Sequence, residues 1–142
     1  MQPIFDNLAY LMRGSTYHLG GFSKEEGFSS QKKVDSLIKN NVIELEAVTY
    51  IRGRSIPQQF VVVDEAQNLT PHEVKTIISR AGEGTKMVLT GDPYQIDNLY
   101  LDSSSNGLTY AAERLKGEAI HGHITLRKSE RSRVAALAAE LL

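Results

Sequence analysis

Several features are absent from the sequence, and their absence limits the classes of protein to which the chain can belong. Its 142 residues include no cysteine, which excludes disulfide bonds, thiol catalysis and zinc sites built on cysteine. No apolar run approaches the roughly 18 residues that a membrane-spanning helix needs. The N-terminus, "MQPIFDNLAY", has no basic region followed by an apolar segment and so does not read as a secretory signal. We therefore expect a soluble cytoplasmic protein with no membrane partner.

The chain also lacks a strong excess of either charge. The formal net charge is -1, and 41% of the residues are hydrophobic. This balance argues against a strongly basic nucleic-acid-binding domain, although it leaves a local basic patch open. The length and composition predict one domain over residues 1–142.

The first third of the sequence predicts two helices, a loop and a strand. Apolar residues at helical spacing indicate a helix over 3–13, and the four glycines of 14–30 indicate a flexible loop. Ser30 is placed to cap a second helix that ends at Asn40. The alternating pattern of 42–53 predicts a half-exposed strand.

The remainder alternates between strands and helices. Strands are predicted at 60–64, 87–92 and 119–126, and helices at 71–81, 108–116 and from 130 onward. The first of these helices has clear start signals, with Thr70 as N-cap, Pro71 in the first position and Glu73 completing a capping box. The order predicts an α/β fold with a mostly parallel sheet flanked by helices.

Two of the predicted strands end in carboxylates. The run Phe60–Val63 shows no polar alternation, which is typical of a strand buried on both faces, and it leads into Asp64 and Glu65. The strand "MVLTGD" ends in Asp92, with Gln95 three residues later. Because ligands bind at the carboxyl ends of parallel strands, these side chains predict a site along one sheet edge.

The chemistry suits a nucleoside triphosphate with Mg²⁺. A hydrophobic strand ending in Asp-Glu is the Walker B pattern, in which the Asp holds Mg²⁺ through water and the Glu orients the attacking water. A glutamine amide nearby can contact the γ-phosphate. Each motif alone is weak, since "DE" also caps strand ends and "GDP" forms ordinary tight turns.

The segments "FVVVDEAQN", "LTGDPYQID", "LDSSSNGLTYAAERLKG" and "LRKSERS" closely resemble the PhoH-like ATPases, and the resemblance covers nearly the whole chain. It implies a partial RecA-like P-loop NTPase core related to the motor domains of superfamily-one helicases. It further implies ATP and Mg²⁺ as cofactors, a link to RNA unwinding or processing with single-stranded RNA as a partner, and a homo-oligomeric ring in the complete protein.

The resemblance also assigns roles to individual residues. The implied site consists of Asp64 as the Mg²⁺ ligand through water, Glu65, Gln95 and Arg131 as catalytic residues, and Gly91 and Asp92 as cofactor-binding residues. Arg131 lies in "LRKSERS", which is similar to the helicase motif that brings an arginine to the γ-phosphate of a neighbouring subunit's nucleotide.

One expected motif is absent from the sequence. None of the eleven glycines precedes a lysine, so the phosphate-binding motif G-x-x-x-x-G-K-[ST] does not occur. The resemblance therefore implies the C-terminal part of an ATPase core, and we expect little or no ATP hydrolysis by this chain alone. A non-catalytic interaction module, which needs a partner or an upstream segment to bind nucleotide, is the alternative.

Two weaker candidates remain. Tyr50, Arg52 and Arg54 can contact single-stranded nucleic acid or phosphate through stacking and charge, but they also fit an exposed strand end. His121 and His123 share a face of a predicted strand and could bind a metal, although a structural pair is favoured because no third ligand is evident.

Overall fold

The computed structural model describes residues 2–11, 24–51, 53–126, 132–134 and 137. The chain divides into two compact units, Met1–Ile51 and Arg52–Leu142. The organisation as one domain over 1–142 stays a prediction.

The first unit contains two packed helices, α1 (Gln2–Leu11) and α2 (Lys24–Lys39). Among the residues of this unit whose burial the structure describes, Ala9 and Val34 are the buried apolar side chains. Helix α2 begins within the segment 14–30 that was predicted to be a loop, so that prediction is wrong for 24–30. Good helix formers such as Lys24 outweigh the single glycine there. Residues 14–23 lie outside the described residues.

The strand predicted over 42–53 is also wrong. Residues 44–47 have no regular structure, and Val48–Tyr50 forms a 3₁₀-helix with local hydrogen bonds, including one from Tyr50 N to Ala47 O at 2.9 Å. An alternating pattern gives a strand only where a second strand pairs with it. No such pairing involves the described residues of this segment.

The second unit is built on two parallel strands, β1 (Phe60–Val63) and β2 (Lys86–Leu89). Phe60 pairs with Lys86 and Val63 with Leu89. The parallel α/β class predicted from the sequence is therefore confirmed.

The continuous apolar run of β1 predicted a strand buried on both faces, and this prediction is wrong. Phe60 and Val62 are 67% and 56% exposed, whereas Val63 on the opposite face is buried. The physical reason is that β1 pairs only with β2 among the described residues and packs through one face.

Helix α3 (Pro71–Ile78) follows β1 and begins as predicted, with the Thr70 hydroxyl accepting from Glu73 N and the Glu73 carboxylate accepting from Thr70 N. It packs against helix α4 (Gly107–Arg114). Val74 and Ile77 of α3 and Ala111 of α4 are buried. Together with Val63 of β1 and Ala66, these side chains form the core of the described part of this unit.

A compact turn leads into α4. The side chain and backbone of Ser104, together with those of Ser105, hydrogen bond to Asp102 and lower the pKa of its carboxyl group to about 2. Asn106, which is fully buried, then caps the helix by accepting from Thr109 N at 2.9 Å.

The strand predicted at 119–126 is wrong as well, since this segment contains a turn and then no regular structure. Ile120, Ile124 and Leu126 are exposed, so the apolar pattern has no face to pack against. The start of the predicted last helix lies outside the described residues. No helix among the described parts of the chain has the length and apolar character needed to cross a membrane.

Candidate functional site

The site is built where β1 and β2 end side by side. Thr90 N donates to Val63 O and Ala66 N donates to Thr90 O, each at 2.9 Å, so the pairing continues past both strands. The Thr90 hydroxyl also donates to Asp64 Oδ1 at 2.8 Å. Asp64 is thereby fixed at the carboxyl edge of the sheet, with its side chain exposed.

Glu65 turns the chain away from the strand. Its φ of 54° and ψ of 37° lie in the left-handed region, which costs a residue with a Cβ about 1–2 kcal/mol. Its backbone N–H donates to Asp64 Oδ1 at 3.1 Å, and its carboxylate accepts from Gln67 Nε2 at 2.6 Å. Two contacts therefore hold this residue in a strained conformation at the predicted catalytic position.

The loop after β2 organises the other predicted pair. The Asp92 carboxylate accepts from Tyr94 N at 3.0 Å and from Gln95 Nε2 at 2.7 Å. The side chain of Gln95 is exposed and is oriented by this contact. Asp92 and Gln95 thus form one hydrogen-bonded unit next to the end of β1.

Gln67 joins these two loops, and the sequence analysis did not identify it. It is 0% exposed. Its Nε2 donates to the Glu65 carboxylate and to Gln95 O at 2.9 Å, while its Oε1 accepts from Asp92 N at 3.2 Å. Its only sequence signal is its position two residues after the acidic pair Asp64-Glu65, and a single sequence does not reveal that this amide is buried.

Asn68 strengthens the same connection. Its Oδ1 accepts from Asp97 N at 2.7 Å and from Asn98 N at 3.3 Å. The loop that follows β2 is therefore bound to the loop that follows β1 at two successive residues, Gln67 and Asn68.

Gly91 is required by close packing at this junction. A Cβ atom at this position would overlap Oε1 of Gln67 and would lie 3.1 Å from Leu108 Cδ2. This steric requirement is independent of any ligand. A contact between Gly91 and a cofactor stays a prediction.

The remaining residues of the predicted site are Arg131 and the nucleic-acid candidates Tyr50, Arg52 and Arg54. Arg131 and Arg52 lie outside the described residues. Tyr50, which is 74% exposed, belongs to the first unit, and the exposed Arg54 belongs to the second. A nucleic-acid site formed by Tyr50, Arg52 and Arg54 stays a prediction.

The side chains at this edge are better suited to bind a hydrated Mg²⁺ than to surround a metal ion with protein ligands alone. Within the described ranges, no group of three or more His, Cys, Asp or Glu side chains is arranged to hold a metal. Mg²⁺ needs only one or two carboxylates when water and phosphate oxygens complete its shell. The exposed and well-positioned carboxylate of Asp64 meets that requirement.

This fold and this edge define a class. A parallel α/β sheet with polar side chains at the carboxyl ends of adjacent strands is typical of nucleotide-binding α/β proteins. Residues 1–141 match the family model described as "PhoH-like protein". The chain belongs to the PhoH-like family, which has the P-loop NTPase fold, and the resemblance stated from the sequence is confirmed.

Several relatives support this assignment. The chain is 53% identical over 143 residues to Protein PhoH2 of Bacillus subtilis strain 168, covering 100% of this chain and 29% of that protein. It is 38% identical over 141 residues to Protein PhoH2 of Mycolicibacterium smegmatis, covering 96% and 32%. A PhoH-like protein of Bacillus subtilis is 41% identical over 83 residues, which cover 58% of this chain and 25% of that protein. The chain therefore spans between a quarter and a third of the length of these relatives.

Proposed function

We propose that this chain supplies the Mg²⁺-binding and γ-phosphate-facing edge of an ATP-hydrolysing site. The observation that carries the proposal is the hydrogen-bonded junction of two parallel strand ends, which holds Asp64, Glu65 and the Asp92–Gln95 pair together. In this proposal the phosphate-binding loop comes from residues outside the 142 of this chain.

Each side chain at the edge has a role that fits its contacts. Asp64 would hold Mg²⁺ through water, as the family resemblance implies, with its carboxylate oriented by the Thr90 hydroxyl. Glu65 orients the attacking water and accepts its proton, while the Gln95 amide donates to phosphate oxygen. Mg²⁺, when bound, neutralises the negative charge that develops on the phosphate.

Two further parts of the proposal concern partners. Arg131 stabilises the transferring phosphate on a neighbouring subunit of a homo-oligomeric ring, which is the arrangement that the family resemblance implies. Hydrolysis is coupled to the handling of single-stranded RNA, with Tyr50, Arg52 and Arg54 as the candidate contacts.

A non-catalytic interaction module is the second candidate. The exposed apolar face of β1, formed by Phe60 and Val62, favours it, because such a face can bind another chain. The two functions differ in one outcome: the module does not hydrolyse ATP in any assembly.

The test uses a chimera in which this chain replaces the matched region of Bacillus subtilis PhoH2. We expect Mg²⁺-dependent ATP hydrolysis by the chimera and a loss of about 100-fold in Asp64→Asn, which removes the charge but keeps an acceptor for Thr90. Asp97→Asn, an exposed carboxylate in the loop after β2, serves as the matched control and should hydrolyse ATP normally.

Two results of this test would contradict the catalytic proposal. If PhoH2 hydrolyses ATP and the folded chimera does not, or if Asp64→Asn is as active as Asp97→Asn, the catalytic proposal is wrong. The interaction module is then the better account.

A further inference from the structure

We propose that Gln67 is a positioning residue that couples the carboxylate of Glu65 to the loop carrying Asp92 and Gln95. This inference rests on the proposed function for its catalytic consequence. The coupling itself rests only on the contacts of the Gln67 amide.

The first support is that both N–H groups of the Gln67 side-chain amide donate hydrogen bonds. One N–H group of Gln67 points to Glu65 Oε2 at 2.6 Å and the other to Gln95 O at 2.9 Å. The carbonyl oxygen of the same amide accepts from Asp92 N at 3.2 Å. The reversed amide would place an NH₂ group against the Asp92 N–H, so the contacts define one orientation.

The second support is burial. Gln67 is fully buried, and a buried amide that lost its partners would carry a large desolvation cost. A displacement of Gln95 or Asp92 would therefore leave Gln67 unsatisfied, unless Glu65 and its loop moved too. Movement on one side of the junction is transmitted to the other through this side chain.

The third support is the space reserved for the amide. Gly91 lies where any larger residue would overlap Gln67 Oε1. Glu65 is held in a left-handed backbone conformation while its carboxylate contacts the same amide. Strained conformations of this kind persist only where the surrounding contacts determine them.

The first measurement needs no enzymatic activity. Amide hydrogen exchange is followed by NMR in the chain itself for wild type and Gln67→Met, which keeps the length but removes every hydrogen bond. We expect exchange at Asp92 N–H to accelerate about tenfold. Exchange at Thr90 N–H and Ala66 N–H should stay the same, because those groups bond to backbone oxygens at the same junction. Unchanged exchange at Asp92 would overturn the coupling.

The second measurement distinguishes a positioning role of Gln67 from a role in packing alone. In the chimera, Gln67→Met should lower kcat about tenfold with little change in KM, because Glu65 is no longer oriented. In Gln67→Glu, kcat should be low at neutral pH, because the new carboxylate and that of Glu65 repel each other. It should recover at lower pH, where the two carboxylates share a proton. The protonated acid can then donate to Glu65.

The controls are Gln59→Met and Gln59→Glu, which make the same changes at an exposed glutamine just before β1. If kcat for Gln67→Met equals that of Gln59→Met, and Gln67→Glu gains no pH dependence, Gln67 only fills space and the proposal is wrong. If Gln67→Met fails to fold, the pH dependence of Gln67→Glu decides. If PhoH2 hydrolyses ATP and a folded chimera with Gln67 in place does not, the proposed function is wrong, while exchange at Asp92 still decides the coupling.

Discussion

At the scale of residues, the site depends on how closely Gln67 and Gly91 are packed. The buried amide lies against a position without a side chain, and its three hydrogen bonds connect two loops. Because closely packed atoms leave little free volume, we expect one added methyl group here to have a large effect on stability. The geometry of the predicted catalytic residues thus depends on two residues that need not contact substrate.

Gly91→Ala should show this effect directly. The added Cβ overlaps Gln67 Oε1, so we expect a loss of about 1–3 kcal/mol in the free energy of unfolding. The side-chain amide signals of Gln67 should also shift. Urea unfolding and NMR provide the two measurements.

Gly122→Ala is the matched control, because a Cβ at Gly122 meets no atom within 4 Å. If Gly91→Ala proves as stable as Gly122→Ala and leaves the Gln67 amide signals unchanged, the close packing described here is wrong.

The acidic residues of the site could be predicted from the sequence, and the connection between them could not. Asp64 and Asp92 each follow an apolar run, and that pattern is visible in the letters. Gln67 is recognisable only once the two loops are placed together. Its partners Asp92 and Gln95 lie 25 and 28 residues away in the chain.

At the scale of elements, α3 began as its local signals predicted. The predicted start of α2 is wrong, because this helix begins at Lys24 and includes Ser30, the predicted cap. The capping residues of α3 are recognisable from the sequence alone, and the structure contains the capping box that they predict. The segments 42–53 and 119–126 have only an apolar pattern, and the described residues of neither segment form a strand. A strand takes its hydrogen bonds from a distant partner, whereas a helix and its cap take theirs from neighbouring residues.

Thr70→Ala should destabilise the second unit by about 1 kcal/mol. The substitution removes the hydroxyl that accepts from Glu73 N and donates to Glu73 Oε2. Thr76→Ala, in the same helix, removes only a bond to His72 O and replaces threonine with a better helix former.

Urea unfolding of both variants is the measurement. Thr76→Ala should lie within about 0.5 kcal/mol of wild type. A cost for Thr70→Ala no greater than that for Thr76→Ala would show that the capping box does not stabilise α3.

At the scale of the whole molecule, we propose that the chain provides one edge of an ATP-hydrolysing site. It spans 29% and 32% of the two PhoH2 relatives, and its glycines form no phosphate-binding motif. In our proposal, the carboxylates and the amide of this edge meet a phosphate-binding loop that lies elsewhere. The affinity for nucleotide should therefore depend on that loop.

Calorimetry of Mg²⁺-ATP binding tests this claim most directly, with this chain and the PhoH2 chimera measured side by side. We expect the chimera to bind and the chain alone to bind at least about 100-fold more weakly, because the backbone amides and lysine of the missing motif provide most phosphate contacts. Equally tight binding by the chain alone would contradict the account. So would a folded chimera that fails to bind ATP under conditions in which PhoH2 binds it.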